Sequence, residues 1–235
     1  MGTYIVTGAS AGIGREITLQ LAARRHRVLA LARSESRLEA LAANDSLIVP
    51  VPIDLSDPDA ITRLSEEFSG YDIDGLINNA AIQENVRFDA DTYGPDAVRA
   101  EITTNLTAPI LLTHLVARNS RRPLTVIDVN SGLALFPKST SAVYSATKAG
   151  LRMFAEAMAA QAGLQIRVVD VILPLVDTAM TAGRGKGKIA PQVAAEAIVA
   201  ALDGRRREVF VGKAKALRIL ARIAPSIAAR IMRRM

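Results

Sequence analysis

The sequence has no cysteine, no tryptophan and only two histidines, His26 and His114. Without thiols there is no disulfide framework, no thiolate nucleophile, no zinc finger and no iron–sulfur ligation. Neither histidine has other ligand types gathered beside it, so no metal site is expected. No apolar run approaches the ~18 residues of a membrane span. The first residues lack a basic segment followed by an apolar one, so no signal peptide is expected and the cytoplasm is the expected location. What is present is enough for a real core. Half of the 235 residues are apolar and 22% are charged, which suits one large domain and excludes a disordered or collagen-like chain.

The net charge of +6 hides an asymmetry. Residues 205–235 hold ten Lys/Arg and one acid, Glu208, whereas the remainder is slightly acidic. A basic balance points to nucleic acid or membrane partners, and here only the tail carries it.

Short, β-branched apolar runs recur along the chain: Tyr4-Ile5-Val6-Thr7, Val28 to Ala32, Leu47 to Val51, Gly75 to Asn78, Leu124 to Val129, Ile166 to Ile172 and Glu208 to Val211. Helical stretches lie between them, over 13 to about 24, 35–43 and 106–117, and Asp57 before Pro58 is a helix-capping signal. Strands that are apolar nearly throughout and alternate with helices predict a doubly wound parallel sheet, covered on both faces. The most linker-like stretch, 181–190, has three glycines and three bases and reads as a mobile loop within the domain.

Thr7-Gly8-Ala9-Ser10-Ala11-Gly12-Ile13-Gly14 lies between the first strand and the first helix. Glycines at 8, 12 and 14 allow a sharp turn and a close approach to a pyrophosphate, with the helix N-terminus behind. The second strand ends in Ala32-Arg33. An acid there would hold the adenosine ribose hydroxyls; a small residue and a guanidinium suit a 2′-phosphate, which favours NADP(H) over NAD(H). Asp54 is placed to meet the adenine amino group, and equally to form the turn before Ser56-Asp57.

Tyr144 and Lys148 stand four apart and share a helix face. A free tyrosine has a pKa of about 10. A neighbouring ammonium favours phenolate, so the expectation is a Tyr144 pKa lowered by Lys148, giving an acid/base for a carbonyl and its alcohol.

Thr7 to Gly14, Asn78-Asn79-Ala80, Ser131 and Tyr144…Lys148 together resemble the short-chain dehydrogenase/reductase family. Ser131 lies 13 residues before Tyr144, as the serine does in that family. The resemblance implies a Rossmann-type sheet of seven strands in the order 3-2-1-4-5-6-7. It implies that Tyr144 is the acid/base, Lys148 lowers its pKa and binds the nicotinamide ribose, Ser131 hydrogen-bonds the substrate oxygen, and Asn105 holds a relay water. The implied cofactor contacts are Gly8, Ser10, Gly12, Ile13, Gly14, Arg33, Asp54, Leu55, Asn79, Ala80, Tyr144, Lys148, Pro174, Val176 and Thr178. Two positions depart from the family pattern. Ala81 replaces a glycine, and Leu173-Pro174 replaces Pro-Gly. Residues 172–178, 183–188 and 209–220 are similar to the oxidoreductases encoded beside teichoic-acid D-alanylation genes.

The implied activity is NADP(H)-dependent interconversion of a carbonyl and an alcohol on a small molecule, by a homodimer or homotetramer. Two other readings stand beside it: a cofactor-binding regulatory protein with little turnover, and a membrane-surface reductase acting on a lipid-linked substrate. His114, among Leu111, Leu112 and Leu115, reads as structural, and His26 as surface. Arg24-Arg25 and Arg121-Arg122 read as solvated helix ends, and Met180 as a pocket wall. The C-terminal extension, 213–235, reads as a basic helix interrupted at Pro225, with Ser226 capping a second helix. Leu217, Leu220, Ile223, Ile227 and Ile231 are expected to be covered by protein in preference to lipid, with Arg218 and Arg222 at the wet rim. Beyond Phe210 the tail has no aromatic residue to anchor in an interface or stack on a base, so no nucleic acid partner is expected.

Overall fold

The computed structural model describes residues 1–120, 122–161 and 165–233. Arg121 and the last two residues of the tail therefore lie outside the described residues. Seven strands form one parallel sheet in the order β3-β2-β1-β4-β5-β6-β7. They are β1 (Thr3–Thr7), β2 (Arg27–Ala32), β3 (Ile48–Pro52), β4 (Gly75–Asn78), β5 (Leu124–Ser131), β6 (Ile166–Leu173) and β7 (Glu208–Phe210). The helices are α1 (Gly12–Ala23), α2 (Glu35–Ala42), α3 (Pro58–Phe68), α4 (Pro95–Ile102), α5 (Ala108–Asn119), α6 (Ala142–Ala160), α7 (Pro191–Asp203), α8 (Ala214–Ile223) and α9 (Pro225–Arg233).

Successive strand residues point to opposite faces, and both faces are apolar. Val6, Ala30, Ile77, Ile127 and Val169 pack with Ile17 and Leu21 of α1 and Ile198 of α7. Their neighbours Ile5, Leu29, Leu76, Val126 and Val168 pack with Leu64 of α3, Leu112 of α5 and Ala155 of α6. This is why the strands show no polar alternation. Asp57 does cap α3, its carboxylate accepting from the Asp59 N–H at 2.9 Å, with Pro58 in the first turn.

The sheet reverses its order where β1 lies between β2 and β4, and a crevice opens at that switch point beyond the C-terminal strand ends. β4 is fastened to β1 there. The Thr7 hydroxyl accepts from the Asn79 and Ala80 N–H groups, both at 2.9 Å.

Several expectations need correction. The long central helix begins earlier, at Pro95, and carries a π-helical turn at Thr103–Thr107 between α4 and α5. Ser226 is not a cap: Pro225 opens α9 as its first residue, where a missing N–H costs nothing, so Ser226 is already inside the helix. His26 is half-buried, its Nδ1 accepting from the Gly2 N–H at 3.0 Å and its ring edge-on to Tyr4. His114 is exposed. The tail covers only part of its aliphatic face. Leu217 reaches the body, and Ala228 and Met232 are buried, but Ile223 is 75% and Ile227 54% exposed on this chain. Two amphipathic helices this short present one stripe inward and leave the other outward. Arg218 stays half-exposed at the rim, lying over the Phe210 ring and pairing with Glu208 at 3.5 Å, and Arg222 is exposed.

Candidate active site

The crevice is a cavity of about 830 Å³. One end is the loop joining β1 to α1. Gly8 and Gly12 have φ of +65° and +53°, conformations that side chains rarely adopt. A Cβ on Gly14 would lie 2.2 Å from the Gly8 carbonyl oxygen, so glycine alone lets α1 start this close to β1. Gly8, Ser10, Gly12, Ile13, Asn79 and Ala80 line this end, and Gly14 supports it from behind. Asn79 is held by a bond from its Nδ2 to the Thr7 carbonyl at 2.9 Å.

At the β2 end, exposed Arg33 lines the cavity beside Ala32, and Arg37, one turn into α2, joins it. Across from them, Asp54 and Leu55 line the wall after β3. Burial alone would raise the Asp54 carboxyl, but bonds from the Ser56 N–H and hydroxyl at 2.9 and 2.8 Å, with the Arg33 charge, hold it below its usual range. Asp54 therefore forms the turn and still borders the cavity. These features fit a dinucleotide: a glycine cradle that a Cβ would fill, a helix N-terminus behind it, and two guanidinium groups at the adenosine end.

The other end holds Ser131, Tyr144 and Lys148. Ser131 ends β5; Tyr144 and Lys148 stand on the first turns of α6. The expected effect of Lys148 on Tyr144 is not the one found. Burial pushes the Tyr144 phenol up to about 12, with Glu101 adding and the neighbouring Ser131 hydroxyl and the Arg184 charge opposing. Lys148 is 5.8 Å from the ring centroid, and its Nζ donates to the Val129 carbonyl at 2.8 Å. Burial also pushes Lys148 down to about 8, against the pull of Asp128 and Asp170. Burial disfavours the charged form of each group, which is why the phenol rises and the ammonium falls.

Asn105 lies in the π-helical turn, fully buried, and outside the cavity lining. Its Oδ1 accepts from the Ile82 N–H at 2.9 Å and its Nδ2 donates to the Ile82 carbonyl at 2.8 Å. It braces the segment after β4 behind the wall. Under Lys148 lies a polar layer carried by strand residues, with no sequence signal to mark it. Asn78 donates to Asp128 at 2.8 Å, and Asn130 and Arg152 donate to Asp170 at 2.9 and 2.8 Å. Burial pushes Asp128 up to about 7, with Asp170 adding to the rise and the Asn78 bond and Lys148 opposing it.

Pro174, Val176 and Thr178 line the cavity after β6. The Thr178 Cγ2 lies 3.3 Å from where a Gly12 Cβ would stand, so the two ends face each other. Leu173 pairs with Ser131 in the sheet, Pro174 follows with a trans peptide, and Ala81 lines the cavity near Ala80. Loop 181–190 is tied at both ends: the Thr181 hydroxyl donates to the Val176 carbonyl at one, and at the other Ile189 bridges Val176 and Lys188 pairs with Asp177 at 3.1 Å. Met180 is a wall residue as expected. Leu217, Leu220 and Met232 of the tail form a further wall that the sequence analysis missed. A Cβ on Gly132 would sit 2.8 Å from the Leu217 Cδ2, directly beyond Ser131. No spacing in the sequence signals this contact.

A parallel sheet in this order, with a glycine cradle and a Ser–Tyr–Lys floor over its switch point, defines a dinucleotide-type oxidoreductase fold. The family model for short chain dehydrogenases matches residues 3–188, and the chain belongs to that family. It is 31% identical over 185 residues to the oxidoreductase DltE of Bacillus subtilis, covering 76% of this chain and 73% of that protein. It is 29% identical over 190 residues to human 17-beta-hydroxysteroid dehydrogenase type 3, a match that covers 77% of this chain and 61% of the relative. A short chain dehydrogenase from Burkholderia cenocepacia in complex with NADP superposes with a TM-score of 0.85 at 28% identity, covering 98% and 97% of the two chains. Among the described residues, no helix is long and apolar enough to cross a membrane.

Proposed function

We propose that this chain is an NADP(H)-dependent oxidoreductase that interconverts a carbonyl and an alcohol on a small molecule. The observation that carries the reading is the convergence of the Ser131 hydroxyl and the Tyr144 phenol on one cavity, with the Lys148 ammonium 5.8 Å from the Tyr144 ring. A reduced nicotinamide supplies the hydride when bound. The Ser131 hydroxyl holds the carbonyl oxygen, and Tyr144 donates its proton to that oxygen. With its pKa pushed up to about 12, the phenol is protonated at neutral pH and has a proton to give to a carbonyl oxygen. Lys148, under the Tyr144 ring, offers its ammonium to the ribose. Asn105 acts through the wall that it braces, as a positioning residue.

Arg33 and Arg37 support NADP(H) over NAD(H). Each guanidinium can pair with a 2′-phosphate, and no carboxylate stands at the end of β2 among the described residues. Titration with NADPH and with NADH, read by ligand fluorescence, tests the choice; equal affinity sinks it. A panel of aldehydes and ketones with NADPH tests the reaction, and absence of turnover across it favours the regulatory reading. The whole chain is proposed as one catalytic domain with a helical extension, a homodimer or homotetramer in the cytoplasm, and light scattering tests its size. A second reading, contact with anionic lipid, draws on exposed Ile219, Ile223 and Ile227 beside exposed Arg222 and Arg230. Liposome flotation with and without residues 213–235 decides it.

A further inference from the structure

Lys138 and Arg184 enter the substrate end of the cavity from two segments, one before α6 and one in the glycine loop. Both are half-buried, and both are met only by neutral groups. Lys138 Nζ donates to Asn85 Oδ1 at 2.8 Å, and Arg184 Nη1 donates to Gln83 Oε1 at 2.8 Å. Arg184 also donates to the Met180 carbonyl. Gln83 Nε2 donates to Ser141 Oγ at 3.0 Å, and that hydroxyl is 3.4 Å from Asn85 Oδ1. The two cations are thus the ends of one polar chain.

Among the described residues neither cation has a carboxylate partner, and Asp54, at the far adenosine end, is the only carboxylate lining the cavity. Lys186 and Lys213 line the same wall. Gly183, Gly185 and Gly187 all have positive φ, so the loop places a cation after each of three glycines: Arg184, Lys186 and Lys188. Of these, Lys188 is matched by Asp177. Burial and the Arg184 charge together hold Lys138 below its usual range, so the two cations feel each other. Like charges drawn together out of water destabilise a site unless a ligand supplies the counter-charge. Opposite them Leu217 and Leu220 offer an aliphatic surface.

We propose that Lys138 and Arg184 form an oxyanion-binding subsite, so that the substrate is an oxo compound carrying a carboxylate or phosphate group, with its aliphatic part on Leu217 and Leu220. This rests on the oxidoreductase reading for the word substrate, but the subsite itself can be tested apart from it.

The NADPH-loaded full chain is assayed with two matched pairs, levulinate against its methyl ester and dihydroxyacetone phosphate against dihydroxyacetone. A charge-assisted contact predicts a kcat/KM at least about ten-fold higher for the anion in one pair, and the winning pair names the oxyanion. Lys138→Met and Arg184→Met each bring that ratio near one, chiefly through KM, and Lys138→Arg restores it. A wild-type ratio near one in both pairs, or equal losses on anion and neutral partner, overturns the proposal. Calorimetry with octanoate and octanol supplies a readout without turnover. Octanoate binding that is lost in both Met variants supports the subsite even if no ketone is reduced, in which case only the oxidoreductase reading fails. Octanoate bound no better than octanol, without turnover selectivity, overturns it.

Discussion

Around Gly8 to Gly14 the cavity wall is main chain, whereas around Leu175, Met180, Leu217 and Met232 it is side chain. The first wall comes from one strand–turn–helix and depends on three glycines, Gly8 and Gly12 for their positive φ and Gly14 because a Cβ there would meet the Gly8 carbonyl. The second gathers residues from the end of β6, the glycine loop and two terminal helices. A main-chain wall recognises what every dinucleotide shares. A side-chain wall can be rewritten residue by residue without disturbing the sheet, which suits the part that meets a particular substrate.

The two walls should therefore be separable by mutation. The largest effect is expected where they meet. Tyr144→Phe removes the transferable proton and keeps the ring, so turnover falls by ~10²–10⁴-fold while NADPH binding stays near wild type. Loss of both together would mean that the site is one unit, not two. Next is Ala32→Asp, which acts on the main-chain end alone. A carboxylate beside Arg33 erases a preference for NADPH worth ~1.5–3 kcal/mol, with KM for the carbonyl compound unchanged. Gly14→Ala forces α1 away from β1, costing ~1–3 kcal/mol in denaturant unfolding and weakening both cofactors alike.

Smaller effects sharpen the boundary. Asp128 has a folded pKa raised to about 7 from 3.8. Its contribution is fully present below pH 3.8 and is lost as pH rises toward 7. Asp128→Asn has no such loss, so its Tm relative to wild type should climb between pH 5 and pH 8, by about 1 kcal/mol or more in stability. A constant difference across that range would mean that Asp128 is charged throughout. Leu217→Ala should be the mildest, since the side chain is only half-buried. A cost of about 1 kcal/mol in substrate binding is expected, read in KM for an aliphatic ketone, with NADPH affinity untouched.

The same contrast explains what could be read from the sequence. Backbone demands restrict residue type, so Gly8, Gly12 and Gly14 announce their turn, and parallel strands announce themselves by apolar runs between helices. Ser131, Tyr144 and Lys148 were legible because one strand end and one helix face fix their spacing. Lys138, Arg37 and Leu217 have no such constraint; they arrive from separate segments, at distances that only the fold sets. Asp128 and Asp170 were hidden for another reason. An acid in a strand reads as solvent-facing, yet both faces of this sheet are covered. Spacing gives Tyr144 its proximity to Lys148 but not its degree of burial, and burial sets the direction of its shift. The π-helical turn at Asn105 left no compositional trace.

The fastening of Asn79 and Ala80 to the Thr7 hydroxyl also sets an order in time. The glycine cradle is made near the beginning of the chain, but its back is closed by residues about seventy positions later. A nascent chain emerging from the ribosome cannot finish that cradle until β4 has been released to pair with β1. The hairpin of α8 and α9 comes later still, after β7. Ser131, Tyr144 and Lys148 precede that hairpin in the chain, so they can be assembled before the aliphatic wall that stands over them. Proteolytic removal of α8 and α9 should therefore take away that wall and leave the glycine cradle in place.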